Sequence, residues 1–341
     1  MMYRQIAFLG LVLLSILLVG CGGKGEDRVV VYCALDREFS EVILEDFTKK
    51  TGIRVLPRFD TEATKSVGLF QELLREKSKP RCDVHWNNEI LATVRLQKAG
   101  VLQPYDSPAA APYPKAVRAR DNTWCGFASR ARILIVNTDK LKEADWPRSL
   151  ADLTKSSLRG QVAMAKPEFG TTASHAACLF EVWGAKKAKE FYRALQKNDV
   201  KILGGNKDVA VAVGKGQYAV GMTDTDDAMG EVRAGKAVKI LFPKSPEGSS
   251  ETLFFPNTVA LVRGCPNPEA GKKLIDYLLS KEVEEKLALS DSCQIPLHPE
   301  ANVELPVALR GVAIKGVEVD FRRAAGRWSE VQTFLKSLFA R

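Results

Sequence analysis

The strongest constraint on this chain is a change of hydrophobic period that recurs along its length. Residues 28–32 form a β-branched run, and Phe39, Val42, Ile43 and Phe47 then fall at helical spacing up to the stop signal Thr51-Gly52. Residues 53–59 read as a second strand with Pro57 near its end. Val67, Phe70 and Leu74 mark a helix, residues 82–86 a third strand, and 90–99 a helix that stops at Gly100. A loop carrying Pro104, Pro108, Pro112 and Pro114 separates this block from a second one. The second block begins with a strand at 131–137. It continues with a strand at 161–165, helices at 171–183 and 186–196, and strands at 200–203 and 217–223 around a helix near 208–213. Strands at 237–242 and 257–262 and a helical stretch at 266–289 complete it. Strands joined through helices pair in parallel, because the crossover needs a dozen or more residues. Two such blocks predict an α/β chain of two lobes, each a mostly parallel sheet flanked by helices.

With 341 residues the chain can bury two cores, and 45% apolar against 27% charged residues is ordinary globular composition. That excludes disorder and a polytopic membrane protein. The formal charge of +9 is spread along the chain without a Lys/Arg block, so no nucleic-acid partner is expected and the basic excess reads as a solvated surface. At the N-terminus, Tyr3-Arg4 precedes fifteen uncharged residues, 6–20. That is too short for a membrane span, which needs about 20 apolar residues, and fits a signal-peptide core. It ends Leu18-Val19-Gly20-Cys21, which resembles the bacterial lipobox. The resemblance implies a signal peptide at 1–20, lipidation of Cys21, a tether at 21–27, and an exported protein anchored to the membrane on its extracytoplasmic side. Six cysteines remain (Cys33, Cys82, Cys125, Cys178, Cys265, Cys293). Their wide spacing is not a disulfide framework, so they are expected as buried thiols with at most one bridge.

Motifs for catalysis are missing. There is no GxxxxGK[ST], no GxGxxG after a strand, no GxSxG and no HExxH. His85, His175 and His298 are too scattered for a triad or a metal cluster; His85 lies in a strand and His175 in the first turn of a helix, where packing is the plainer role. An enzyme is not expected.

Several segments together resemble the bacterial extracellular solute-binding proteins. They are Val29-Val30-Val31-Tyr32 followed by the helix ending before Gly52-Ile53-Arg54-Val55, Asp83-Val84-His85-Trp86-Asn87-Asn88, and the helix running to Gly100-Val101-Leu102. Asn257-Thr258-Val259-Ala260 and the helix after Pro266-Asn267-Pro268-Glu269-Ala270 complete the set, over about residues 28–300. Asp60-Thr61-Glu62-Ala63-Thr64-Lys65 and Trp86-Asn87-Asn88-Glu89 are similar to the iron(III) transport branch of that family. The resemblance implies a type II periplasmic-binding-protein-like fold, with lobe I at 28–130 and 258–300 and lobe II at 131–257 and 301–341. It implies crossing strands near 131–137 and 257–262, a ligand cleft between the lobes, a monomer, and an ABC permease as partner.

In such a fold the ligand is held by loops after strands and by helix N-termini. Those loops supply Asp36, Asp60, Glu62, Thr64, Asn87, Asn88 and Glu89 in the first lobe. In the second they supply Gly170, Thr171 and Thr172 at a helix start, then Asp224, Thr225, Asp226 and Asp227 after a strand. Asp60 to Thr64 and Gly170 to Thr172 read equally as helix caps. As a site, the Gly-Thr-Thr turn offers free N–H groups and hydroxyls to an anion. The carboxylates suit either a hard cation or an ammonium group. Glu89, Asp224, Asp226 and Asp227 are the candidate metal ligands. The better-known ferric-binding relatives carry two adjacent tyrosines here, where this chain has Thr225-Asp226 or Asp226-Asp227; Tyr218 falls inside the preceding strand. Their histidine falls at about Asp36 and their glutamate at Asn88. The expected cargo is ferric iron with a phosphate or carbonate-type anion, and no resident cofactor; the alternative is a small organic anion such as a phosphonate or aminophosphonate.

Overall fold

The computed structural model describes residues 27–60, 68–168, 170–245, 247–309 and 316–339. The signal peptide, Cys21, Glu62 and Thr64 lie outside these residues, and no described helix is long and apolar enough to cross a membrane.

The first lobe opens with β1 (Arg28–Cys33), α1 (Arg37–Thr51) and β2 (Arg54–Phe59). α1 buries Ile43, Leu44 and Phe47 on one stripe, and it ends because Gly52 takes a φ of 74° while its N–H closes on the Thr48 carbonyl. α2 (Gly68–Arg75), β3 (Val84–Asn87), α3 (Ile90–Lys98) and the short β4 (Leu102–Gln103) follow. After the proline-rich loop comes β5 (Cys125–Asn137), buried throughout. The second lobe holds β6 (Val162–Ala165), α4 (Gly170–Val182), α5 (Ala185–Lys197), β7 (Lys201–Leu203) and α6 (Asn206–Gly214). β8 (Val220–Asp224), α7 (Thr225–Arg233) and β9 (Val238–Leu241) complete its strand–helix series. β10 (Phe254–Val262) leads back to α8 (Pro268–Leu278) and α9 (Lys281–Leu289), and α10 (Phe321–Gly326) and α11 (Trp328–Phe339) close the described chain.

The strand order is β2-β1-β3-β10-β5-β8-β6-β7, with β4 on β10 and β9 on β5. Two parallel triads, β2-β1-β3 and β8-β6-β7, form the centres of the lobes. Between them β10 and β5 run antiparallel to their neighbours, so the expected parallel character holds for the triads and stops at the strands that join the lobes. β5 belongs to both sides. Residues as far as Ala131 pair with β10, and from Arg132 onward they pair with β8 and, further along, β9. This strand is six residues longer at its start than the 131–137 expected, because Gly126, Ser129 and Arg130 masked its apolar pattern. The single helical stretch expected at 266–289 is two helices, since Ser280 caps α9 through Val283 N–H.

A third segment joins the crossing. Ser129 and Ile295 exchange backbone hydrogen bonds, and the Asn257 amide donates to Ala128 O and, at 2.5 Å, to Gln294 Oε1. Ala128 takes a left-handed φ of 42° there, and its N–H meets both oxygens of the fully buried Glu284. α10 packs on α3 of one lobe and α4 of the other. All six described cysteines are buried and unpaired, in line with the thiol expectation.

Candidate functional site

β5 is unusual for a buried strand because it carries two arginines, Arg130 and Arg132, which alternation places on one face. They are 4% and 2% exposed, and buried guanidinium groups need partners. Arg130 Nη1 reaches Asp226 Oδ2 at 3.2 Å, and Nη2 donates to the Asn88 carbonyl. Arg132 Nη1 reaches Asp224 Oδ1 at 2.9 Å and Asn206 Oδ1 at 3.0 Å. Burial works against the Arg130 charge, but the carboxylates of Asp226, Asp224, Asp36 and Asp227 outweigh it and hold the group above its ordinary pKa.

Arg130, Asp224 and Asp226 lie in the wall of a cavity of about 350 Å³, with Arg132 behind them. Its lining includes Asp36, Asn88, Gly170, Thr171, Thr172, Asp224, Asp226 and Asp227. Those eight candidates from widely separated loops are brought together. Lys166, Gly204, Gly205, Asn206, Lys207 and Asp208 line it as well and were not singled out from the sequence. Gly170 opens α4 at a φ of 53°, a backbone state that favours glycine, and Thr171 and Thr172 follow in its first turn. The first-turn N–H groups of a helix have no partner within it, so this turn presents donors toward an anion.

The other candidates have structural duties. Glu89, expected as a metal ligand, is the N-cap of α3: its oxygens accept from Leu91 N–H at 2.7 Å, Ala92 N–H at 2.8 Å and Ser174 Oγ–H at 2.6 Å. Burial raises its pKa, against those hydrogen bonds. Asn87 folds the turn before that helix, with its amide on Glu89 O and Thr93 Oγ1. Thr225 accepts from Ala131 N–H at 3.1 Å and so ties α7 to β5. Asp60 lies at a smaller neighbouring hollow that it shares with Asp36. Tyr218 packs against apolar clusters of the second lobe, and no tyrosine or histidine is among the described residues of the cavity wall. His85 is buried in β3, where desolvation lowers its pKa to about 3, and His175 is buried within α4.

The acidic loop is the part of the site whose chemistry the sequence left most open. Oxygens of Asp224, Asp226 and Asp227 lie within 4.8 Å of one another. Two of the three are already paired with buried arginines, which lowers the attraction the group can exert on a hard cation. The signal that would have exposed this was in the sequence: two arginines two residues apart in a run otherwise fit for a central strand.

A cleft between two such lobes, walled by a helix N-terminus and paired charges, is the arrangement of a solute-binding protein. The chain matches the family of bacterial extracellular solute-binding proteins over residues 92–312, nearly two thirds of its length, and it belongs to that family. The family consists of substrate-binding transport proteins, not enzymes, and acts outside the cytoplasm. Over 291 residues the chain is 28% identical to a putative 2-aminoethylphosphonate-binding periplasmic protein of Salmonella typhi, covering 82% of each chain. It is 22% identical to the major ferric iron-binding protein of Neisseria meningitidis, covering 89% of this chain and 92% of that one. The apo ferric ion-binding protein A of Pasteurella haemolytica shares the two-lobed fold, with a TM-score of 0.80 at 22% identity over 92% of this chain and 98% of that one.

Proposed function

We propose that this protein captures a small phosphonate or phosphate that also carries an amine, and delivers it to an ABC permease. The observation that carries the reading is the pairing of Arg130 with Asp226 and of Arg132 with Asp224 beside the α4 N-terminus. The anion lies at Gly170, Thr171 and Thr172, whose first-turn N–H groups, with the Thr171 hydroxyl, match three oxygens on one centre. Arg130 adds charge: its Nε is buried without a hydrogen-bond partner among the described residues. The ammonium end faces Asp227 and Asp36, which line the same cavity. The name of the Salmonella typhi relative, 28% identical, supports the same ligand class. The lobe boundaries, the lipid anchor at Cys21 and the monomeric state stay part of this proposal. Asp60 then borders the site on the side of the first lobe, at the hollow it shares with Asp36.

Ferric iron, the first expectation from the sequence, is the second reading. The Asp224, Asp226 and Asp227 oxygens favour it by their spacing. It asks the site to bind a hard trivalent ion through carboxylates that are largely neutralised, without phenolates and without Glu89.

The test is thermal unfolding of the purified protein with 2-aminoethylphosphonate, ethylphosphonate, inorganic phosphate or ferric citrate. A ligand at 100 times its Kd adds about 2.7 kcal/mol, which raises the midpoint measurably. The expected order is 2-aminoethylphosphonate above ethylphosphonate and phosphate, with no shift from iron that a chelator reverses. A chelator-reversible shift with iron alone establishes the second reading instead. Asp227→Asn is expected to remove the preference for the amine-bearing probe while leaving ethylphosphonate within about twofold, as loss of one exposed-side charge pair implies.

A further inference from the structure

We infer that Arg132 is the residue that makes this site select anions, by cancelling Asp224 and fixing Thr172 and Asn206 without touching the solute. The inference rests on the anion reading above and adds the cause of its selectivity.

Arg132 is 2% exposed and does not line the cavity; Arg130 does. Its fork stands behind the second-lobe wall and ties three loops together. Nη1 donates to Asp224 Oδ1, after β8, and to Asn206 Oδ1, at the start of α6. Nη2 lies 3.5 Å from Thr172 Oγ1, in the first turn of α4. The loops are also bound to one another. Thr172 Oγ1 donates to Asn206 Oδ1 at 2.9 Å, and Asn206 Nδ2 donates to Asp224 Oδ2 at 2.9 Å. Thr223 Oγ1 donates to the Asn206 carbonyl at 2.9 Å. Every polar atom of the Asn206 amide is therefore committed, and its orientation follows from Arg132.

The consequence is electrostatic. Without Arg132, Asp224 joins Asp226 and Asp227 as an acidic trio with oxygens within 4.8 Å, and loses the buried guanidinium that offsets it. Such a trio favours a hard cation and repels an anion at the neighbouring α4 turn. With Arg132 in place, the Asp224 charge is answered from behind. Its outer face lines the cavity as a hydrogen-bond acceptor more than as a net charge. A lysine in this position keeps the charge and loses the planar fork that serves Asp224, Asn206 and Thr172 at once.

The experiment compares wild type, Arg132→Met and Arg132→Lys by isothermal titration calorimetry. The probes are 2-aminoethylphosphonate, inorganic phosphate and Tb³⁺ as a hard trivalent cation, with circular dichroism melts to establish folding. Wild type is expected to bind an anion and to bind Tb³⁺ no better than its surface carboxylates do. Arg132→Met should lose about tenfold or more in anion affinity and gain about tenfold in Tb³⁺ affinity, and adding Asp224→Asn should abolish that gain. Arg132→Lys should lose anion affinity several-fold without gaining Tb³⁺. Folded Arg132→Met with anion affinity within about twofold of wild type, or with no gain in Tb³⁺, overturns the inference. Should Arg132→Met fail to fold, unchanged anion affinity in Arg132→Lys overturns it equally. A wild type that binds neither anion defeats the functional reading, and the Tb³⁺ comparison between wild type and Arg132→Met then decides on Arg132 by itself. Equal, tight Tb³⁺ binding by both overturns the role of Arg132 whatever the anions do.

Discussion

Glu284 sits where three segments cross between the lobes. It is fully buried and accepts from the N–H groups of Ala128, Leu297 and His298. Burial nevertheless dominates and pushes its carboxyl up to about 7 from an ordinary 4.5, with Tyr113 and the N–H donors pulling the other way. A carboxyl with a raised pKa holds its proton in the folded state where the unfolded chain has lost it. Its contribution is therefore fully present below about pH 4.5 and is lost as pH rises through about 7. The stability difference between wild type and Glu284→Gln should be larger at pH 5 than at pH 8, by about 2 kcal/mol, in urea unfolding. A difference that does not change with pH removes Glu284 from the response. Residues of this kind show why the site was only partly legible. Asp36, Asn88, Gly170 to Thr172 and the three aspartates could be picked out because each follows a strand. Glu89 looked the same from the sequence, yet its carboxylate is spent on α3. Nothing in local sequence distinguishes a capping glutamate from a liganding one, because the difference is the direction in which the next turn runs.

Among the elements, those with strong periodicity were read within a few residues. α1 and α5 differ from expectation by little, since their apolar stripes repeat over several turns, and so does α4, which is buried on every side from Thr171 to Phe180. The misreadings have physical causes. Polar residues in β5 are buried by pairing on both edges, a tertiary effect that alternation cannot report. The pair α10 and α11 went unread because much of the apolar surface that holds them, on α3, α4 and α5, lies far away in sequence. Packing of α6 on β8 shows how closely the second lobe is fitted. A Cβ on Gly221 would lie 2.5 Å from Val209 Cγ1 and 3.1 Å from both Ile135 Cγ2 and Val213 Cγ2. Gly221→Ala should push α6 off the sheet, costing about 1–3 kcal/mol in a melt. It should weaken anion binding as well, because Asn206 begins that helix. A variant that is destabilised but binds normally would show that the Asn206 network tolerates the shift.

For the whole molecule, the question is what holds the two lobes in their present relation. Among the described residues, several contacts link the lobes away from the crossing strands. Glu89 Oε2 accepts from Ser174 Oγ at 2.6 Å, Lys207 Nζ lies 3.5 Å from Glu38 Oε1, and the Arg95 guanidinium is stacked 4.3 Å from the Phe70 ring and 4.4 Å from that of Trp328. The lysine pair is exposed and worth little, whereas the buried hydrogen bond is worth about 0.5–1.5 kcal/mol. Ser174→Ala should therefore lower affinity about two- to tenfold, without touching the solute, and enlarge the ligand-free radius in solution X-ray scattering. An unchanged radius with reduced affinity would assign Ser174 a local role.

The path of β5 has a further consequence for anyone recombining such proteins. One strand pairs with the first lobe up to Ala131, enters the second at Arg132, and carries on either side of that switch the arginines that answer Asp226 and Asp224. Specificity in this chain is thus not a property of either lobe as a cassette. A chimera that joins its second lobe to another first lobe anywhere before Arg130 will keep the counter-charges of the acidic loop but exchange Asp36 and Asn88 on the opposite wall. One joined after Arg132 will inherit the acidic loop without its counter-charges and behave as a different receptor.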